Sequence, residues 1–214
     1  MSKIQILKFG IHLFLALLAV MLPLYSLSAQ EQTLEMKSEA QLNQTDSDND
    51  GLSDFDEINI YRTNLQSSDT DNDGFTDGEE IKYNYDPNKN FDDKLLKIIG
   101  ISLKDQSLTY SLGPYEIKTI KISSGLPRTP TPKGEFTIIK KPSFITYRGR
   151  DYFYPNTRWN MLFKQGSWGG FYIHGAYWHN NFGKPMSHGC VNVSYADMEP
   201  LYNWADEGTR VIIE

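Results

Sequence analysis

Two twelve-residue segments, "DSDNDGLSDFDE" from Asp46 and "DTDNDGFTDGEE" from Asp69, constrain this chain more than any other feature. Each crowds carboxylates into a stretch with almost no apolar side chain, so neither can build an ordinary hydrophobic core. Charges this close repel strongly unless a divalent cation sits among them. Both segments match the calcium-loop pattern D-x-D-x-D-G-x5-E in full. In the first, Asp46, Asp48, Asp50, Asp54 and Glu57 fall at loop positions 1, 3, 5, 9 and 12, and Leu52 offers its backbone carbonyl at position 7. In the second, the same positions are Asp69, Asp71, Asp73, Asp77 and Glu80, with Phe75 giving the carbonyl. Gly51 and Gly74 permit the sharp turn that brings ligands from both ends around one ion, and alternating oxygen ligands suit a hard cation. Two full matches starting 23 residues apart outweigh the plainer reading of an acidic, soluble linker.

Neither loop follows an amphipathic helix, because "EAQLNQT" is too polar and too short. That argues against an EF-hand. Residues 46–87 instead resemble the thrombospondin type 3 repeats of secreted bacterial proteins. The resemblance implies a small module with little regular structure, in which Ca2+ is structural and forms most of the core. A metal-stiffened spacer is its expected role.

The first residues bear on the compartment. Lys3 and Lys8 precede an unbroken apolar run over residues 13–22, Pro23 ends it, and Ser26, Ser28 and Ala29 follow. This is the layout of a secretory signal peptide. The run is shorter than the ~18–20 residues that span a bilayer, so cleavage is expected and no transmembrane anchor after it. Without Lys3 and Lys8 the balance is 19 basic against 27 acidic residues, which disfavours a nucleic-acid partner. The expected location is secreted, in the periplasm or cell envelope. The expected organisation is a signal peptide over residues 1–29, a flexible linker over 30–45, calcium repeats over 46–90 and a second domain over 95–214.

That second domain has a different texture. Short β-prone runs punctuated by Gly and Pro predict strands over residues 97–103, 107–112, 115–123 and 135–140, and "GGFYIHG" predicts another. A helix is expected over residues 194–207, with Ser194 as N-cap, Asp197 three residues on and Gly208 as its stop. "TRVII" closes as a strand. The fold class is mostly β with one or two helices.

Cys190 is the only cysteine, so an internal disulfide is excluded and the thiol is buried and inert, linked to a partner, or reactive. A cysteine nucleophile needs a base, oxyanion donors and an exposed sulfur. His174 lies 16 residues upstream, His188 two residues upstream, and Gly189 adjoins the thiol. In an extended segment His188 and Cys190 would face one side, so either histidine could meet the sulfur. The amides of Gly189 and Cys190 could form an oxyanion hole. Spacing alone leaves this open against a structural thiol beside surface histidines.

The wording of the segment is more specific than its spacing. "HGAYWHNNFGKPMSHGCVN" resembles the signature of the L,D-transpeptidase (YkuD-type) catalytic domain. "TPKGEF", with Thr131, Pro132, Gly134 and Phe136, resembles that family's TP-x-G-x-F segment, and "LYNWADEGTRVII" resembles its closing helix and strand. The resemblance covers residues 97–214. It implies a β-sandwich fold, Cys190 as nucleophile, His174 as general base and the Gly175 carbonyl as the group orienting His174. His188 would border the site, with Ser187 and Asn192 as scaffold for the loop. Tyr177, Trp178 and Phe182 are the expected groove-lining aromatics, and His179 has no assigned role and is expected to be exposed.

The implied reaction needs no catalytic cofactor. A Cys thioester forms at the L-centre of meso-diaminopimelate in a peptidoglycan tetrapeptide stem, D-Ala leaves, and an amine resolves the thioester. The acceptor would be a neighbouring stem or an amine-bearing cell-wall protein. Alternatives are an L,D-carboxypeptidase, a D-amino-acid exchange enzyme or a crosslink-releasing hydrolase on the same substrate, and a calcium-dependent surface-binding protein with a vestigial catalytic fold.

Overall fold

A computed structural model describes residues 39–90, 94–166 and 169–214. The expected leader, most of the expected linker and Trp168 lie outside the described residues. The chain divides into two compact units, Met1–Glu79 and Glu80–Glu214. Among the described residues no helix is long and apolar enough to cross a membrane.

In the first unit each acidic loop closes on its own first residue. The Asp46 carboxylate accepts from the amides of Asn49 and Gly51 at 2.8 and 3.1 Å, and Asp69 accepts from Asn72 and Gly74 at 2.7 and 3.0 Å. Gly51 and Gly74 hold φ of 102° and 99°, a region costly to any residue with a Cβ. Regular structure is sparse, as the repeat resemblance implies. Helix α1 (Asp54–Asp56) is capped by Ser53 and runs into one π-helical turn, Glu57–Tyr61. Helix α2 (Asp77–Tyr83) follows the second loop.

Among the described residues the second unit carries ten strands: β1 (Lys97–Ser102), β2 (Ser107–Leu112), β3 (Tyr115–Ser123), β4 (Gly134–Thr137), β5 (Phe144–Arg148), β6 (Phe153–Arg158), β7 (Asn160–Gly166), β8 (Gly169–Gly175), β9 (Val191–Val193) and β10 (Arg210–Ile213). Eight form one sheet in the order β4-β10-β1-β2-β3-β9-β8-β7, while β5 and β6 form a separate hairpin. Just past β4, Lys140 bridges to Leu162 of β7, and the Ile139 amide donates to the Leu162 carbonyl at 2.7 Å. The two ends of the sheet therefore meet, and the layers enclose one core. Ile99, Leu108, Ile122, Met161, Phe163, Ile173, Val191 and Val193 fill it. Alternation in β2 shows the cause: Leu108, Tyr110 and Leu112 point inward while their neighbours are half-buried.

Helix α3 (Tyr195–Trp204) covers this core with Met198 and Leu201. The Ser194 hydroxyl accepts from the Asp197 amide at 3.1 Å, the cap its sequence predicts. At the other end the Lys141 ammonium donates to the carbonyls of Tyr202 and Ala205, placing positive charge where helix carbonyls are unpaired. The helix stops at Trp204, before the expected Gly208, because Ala205 is already extended.

Candidate active site

Parallel pairing of β8 with β9 makes His174 the cross-strand partner of Asn192, so the end of β8 lies beside the turn that delivers Cys190. That turn is not extended. Gly189 adopts φ of 117°, and a Cβ there would lie 2.8 Å from the Phe171 ring. The Ser187 hydroxyl donates to the Cys190 carbonyl and accepts from the Gly189 amide at 3.1 Å. The Thr131 hydroxyl donates to the same carbonyl at 3.5 Å and accepts from the Gly125 amide at 2.9 Å. The turn is thereby fixed from both sides.

His174 is buried, with Nδ1 2.9 Å from the Gly175 carbonyl. A carbonyl only accepts, so Nδ1 carries the proton and Nε2 keeps a lone pair. Burial pushes the imidazole down to about 4, against the opposing Gly175 hydrogen bond, so the ring is a neutral base at physiological pH. Tyr147 stacks on it with ring centroids 4.5 Å apart and donates its hydroxyl to buried Asn160 at 2.9 Å. Asn160 in turn donates to the Thr157 carbonyl at 2.9 Å, so the stacking ring is itself held in place. Burial raises the Tyr147 phenol, which stays neutral.

Cys190 is half-buried, with Sγ 4.0 Å from the Gly170 carbonyl. Burial pushes the thiol up to about 11, opposed by a hydrogen bond from the backbone of Tyr172. The resting pair is thus a neutral thiol and a neutral imidazole. Cys190 and His174 line one narrow cavity of about 60 Å³ with Tyr147, Tyr152, Trp178 and Asn192. Cys190 and His188 also border a wider groove of about 1040 Å³, whose walls include Arg148, Lys164, Gly170 and Tyr172. A stack of rings runs along the narrow side: His188 to Tyr152 at 4.6 Å, Tyr152 to Tyr154 at 5.6 Å and Tyr154 to Trp178 at 3.8 Å.

The structure brings together Cys190, His174, Gly175, Ser187, His188, Gly189 and Trp178. It differs from expectation at four places. The Gly189 amide is bonded to Ser187 rather than turned toward a reacting oxygen. Tyr177 is exposed, donates to the Pro155 carbonyl at 3.0 Å and stays out of the cavity wall. Phe182 packs on His179 at 4.9 Å instead of lining the cavity. His179 is half-buried against Asn192 rather than exposed. Tyr147, Tyr152, Tyr172, Thr131 and Asn160 were not singled out as site residues. The threonine lies in the "TPKGEF" segment that carries the resemblance, whereas the tyrosines have no local signature.

In the acidic loops, the carboxylates of Asp46, Asp48 and Asp50 converge within 4.8 Å of one another, as do those of Asp69, Asp71 and Asp73. Both oxygens of Asp48 and one of Glu57 are buried without a hydrogen-bond partner. Glu57 is wholly buried and its carboxyl is pushed up to about 7, first by desolvation and then by Asp48, with the Thr63 hydroxyl opposing. Desolvation also raises Asp48 and Asp71. Buried, mutually repelling, unbonded carboxylate oxygens fit a hard divalent cation. Position 9 is different. Asp54 accepts from the Ser47 amide and hydroxyl at 2.9 Å each, and Asp77 accepts from the Thr70 amide and hydroxyl at 2.9 and 2.6 Å. These two carboxylates brace the loops from outside each cluster. Leu52 is buried and Phe75 exposed, while Glu80 is buried on α2.

Comparison with known proteins agrees with this geometry. The L,D-transpeptidase catalytic-domain family matches residues 96–213, and the bacterial TSP3 repeat matches residues 46–64 and 69–90. The YkuD protein of Bacillus subtilis (strain 168) is 34% identical over 120 residues, covering 54% of this chain and 64% of that protein. An L,D-transpeptidase from Mycobacterium smegmatis shares the fold, with a TM-score of 0.52, 23% identity, 56% of this chain covered and 59% of that one. One from Mycobacterium tuberculosis H37Rv gives a TM-score of 0.51 at 26% identity, covering 56% and 58%. The chain spans less than two thirds of the length of each of these relatives. Its second unit places the signature cysteine and histidine on adjoining elements of the shared fold, and the chain belongs to the L,D-transpeptidase catalytic-domain family.

Proposed function

We propose that this protein is an exported peptidoglycan L,D-transpeptidase working through Cys190 and His174. One observation carries the reading: the thiol and a buried imidazole with its Nε2 lone pair preserved line the same narrow cavity. With both groups neutral at rest, the proton moves during attack. Sulfur bonds to the carbonyl carbon at the L-centre of meso-diaminopimelate as Nε2 takes the thiol proton. The Cys190 amide is the proposed oxyanion donor, since the Gly189 amide is committed to Ser187. Collapse breaks the bond to D-Ala, whose amine leaves with the proton from His174. An acceptor amine then attacks the thioester, gives its proton to Nε2, and the released sulfur is reprotonated. The Gly175 carbonyl favours the transient imidazolium by accepting from Nδ1–H throughout.

The wider groove suits the second partner, because it reaches the same sulfur from another side. Incubation with a disaccharide tetrapeptide, followed by mass spectrometry, should show D-Ala loss and dimer formation. A Cys190→Ala protein retaining full activity would refute the assignment. A carbapenem should add its mass at Cys190. Products made with and without an amine acceptor separate transfer from hydrolysis.

The repeats are proposed to hold structural calcium through Asp46, Asp48, Asp50 and Glu57 in one loop, and Asp69, Asp71, Asp73 and Glu80 in the other. The orphaned oxygens of Asp48 and Glu57 support this. The ion would supply charge neutralisation only. Chelation should loosen the repeats and leave the catalytic unit folded, whereas calorimetry showing no calcium uptake at millimolar metal would refute it.

A further inference from the structure

Residues 140–166 carry six Lys or Arg against one Asp, in a chain whose formal net charge is −6. Among the described residues four ion pairs form, and none includes a residue of this segment. Two of its cations stand on the wall of the wider groove, exposed Arg148 at the end of β5 and half-buried Lys164 on β7. No Asp or Glu among the described residues shares that wall. The cations lie over aromatic rings instead. Arg148 is 4.9 Å from the ring centre of Phe153, and Lys164 is 5.4 and 5.9 Å from those of Phe136 and Phe171. A ring face steadies a cation but leaves its N–H donors without a carboxylate. Two positive charges with no counter-charge on one groove wall favour an anionic occupant.

The strand register places that anion close to the chemistry. Lys164 is the cross-strand partner of Phe171, and the next pair along is Gln165 with Gly170. The Gly170 carbonyl lies 4.0 Å from Cys190 Sγ, and the Phe171 ring borders Gly189. One ring therefore separates the Lys164 ammonium from the turn that carries the sulfur. Acceptor amines differ in what they bring to this point. The side-chain amine of diaminopimelate and the amine of a free amino acid share their carbon with a carboxylate. The side-chain amine of lysine does not.

We propose that Arg148 and Lys164 are specificity-determining residues that hold the carboxylate beside the attacking amine, so the acceptor is the amino acid end of a stem or a free amino acid. This rests on the transpeptidase reading for the acceptor, but not for a carboxylate site next to Cys190. With a disaccharide tetrapeptide as donor, D-methionine and D-methioninamide are compared at equal free-amine concentration. The acid-to-amide ratio of kcat/KM should be about tenfold higher in the parent than in the Arg148→Gln, Lys164→Met double variant, the effect of two exposed charge contacts together. Exchange of the two cations, Arg148→Lys with Lys164→Arg, should keep the parent ratio. A ratio unmoved by the loss of both charges, or preferential transfer to the side-chain amine of a blocked lysine, overturns the proposal. Dimer and D-methionine-bearing tetrapeptide, resolved by mass from a mixture, distinguish a stem acceptor from a free amino acid. Either upholds the proposal when the double variant makes less of it. A second measurement needs no substrate. Iodoacetate and iodoacetamide alkylate the same thiol and differ by one carboxylate, and the ratio of their rates at Cys190 should fall about fivefold in the double variant. A parent that leaves the tetrapeptide intact while this ratio falls overturns the transpeptidase reading and the acceptor, and upholds the carboxylate site. A parent that releases D-Ala while neither ratio moves in the double variant overturns this proposal alone.

Discussion

Replacing Glu57 by Gln should stabilise the calcium-free repeats and weaken them when calcium is present. In the calcium-free fold the Glu57 carboxyl titrates at about 7 against an ordinary 4.5. A raised folded value means the folded state prefers the protonated acid. The stability tied to this group is then fully present below about pH 4.5 and is lost as pH rises through 7. The difference corresponds to roughly 3 kcal/mol by pH 8. Gln mimics the protonated acid: its oxygen keeps the 3.2 Å bond from the Thr63 hydroxyl, and its NH2 replaces the oxygen that has no partner. Full-length protein in chelator at pH 8 should therefore gain about 3 kcal/mol in the repeats. Hydrogen exchange of peptides from residues 46–64 under graded urea, corrected for intrinsic rates, would read it. At pH 4 the gain should vanish, and with calcium the sign should invert because the proposed ligand has been removed. A variant no more stable than the parent at pH 8 in chelator, or a gain that persists at pH 4, would refute the reasoning.

Three further outcomes follow from the catalytic unit. With His174 lowered to about 4, kcat/KM should hold on acidification well past pH 6.5 and fall only near pH 4, while iodoacetamide alkylation of Cys190 should keep rising toward pH 11. An alkylation plateau by pH 8 would instead reveal a preformed thiolate. Gly189→Ala forces a Cβ onto the Phe171 ring at φ of 117° and should cost about 2 kcal/mol or more by chemical denaturation, with activity lost alongside. Thr131→Val strips the hydroxyl that the Gly125 amide donates to, and an unfolding measurement should show a loss of about 1–3 kcal/mol.

The residues that lay in regular patterns were readable. The runs that became β1, β2, β3 and β8 alternate or carry β-branched side chains, and Ser194 with Asp197 marked the start of α3. The β5–β6 hairpin and β7 were missed for a physical reason. Their pairing depends on Asn156 and Trp159 at φ of 52° and 54°, and on register shifts near Ile145 and Leu162, none of which leaves a periodic trace. The same kind of gap separates the two histidines. His188 looked well placed on the assumption of an extended segment, but the positive φ of Gly189 ends the extension and leaves the ring stacked on Tyr152. His174 becomes the buried partner only because β8 and β9 run parallel, a tertiary fact carried in the sequence by its resemblance and not by spacing. The acidic loops were legible as thrombospondin type 3-like repeats. Yet the diversion of Asp54 and Asp77 to Ser47 and Thr70 required coordinates, because a carboxylate at position 9 reads the same whether it faces inward or outward.

Among the described residues β10 follows the other nine strands yet lies between β4 and β1, parallel to β1 and antiparallel to β4. The sheet therefore cannot assemble in the order in which its strands emerge. β4 has no sheet partner beside β1 until Arg210–Ile213 arrives, and that late, long-range closure predicts slow folding. A chain cut just before Arg210 would retain Cys190, His174 and every residue around them, yet bare two strand edges and leave the core without Val211 and Ile213. Cys190 and His174 therefore stand earlier in the chain than the strand that joins β4 to β1 and completes the sheet around them.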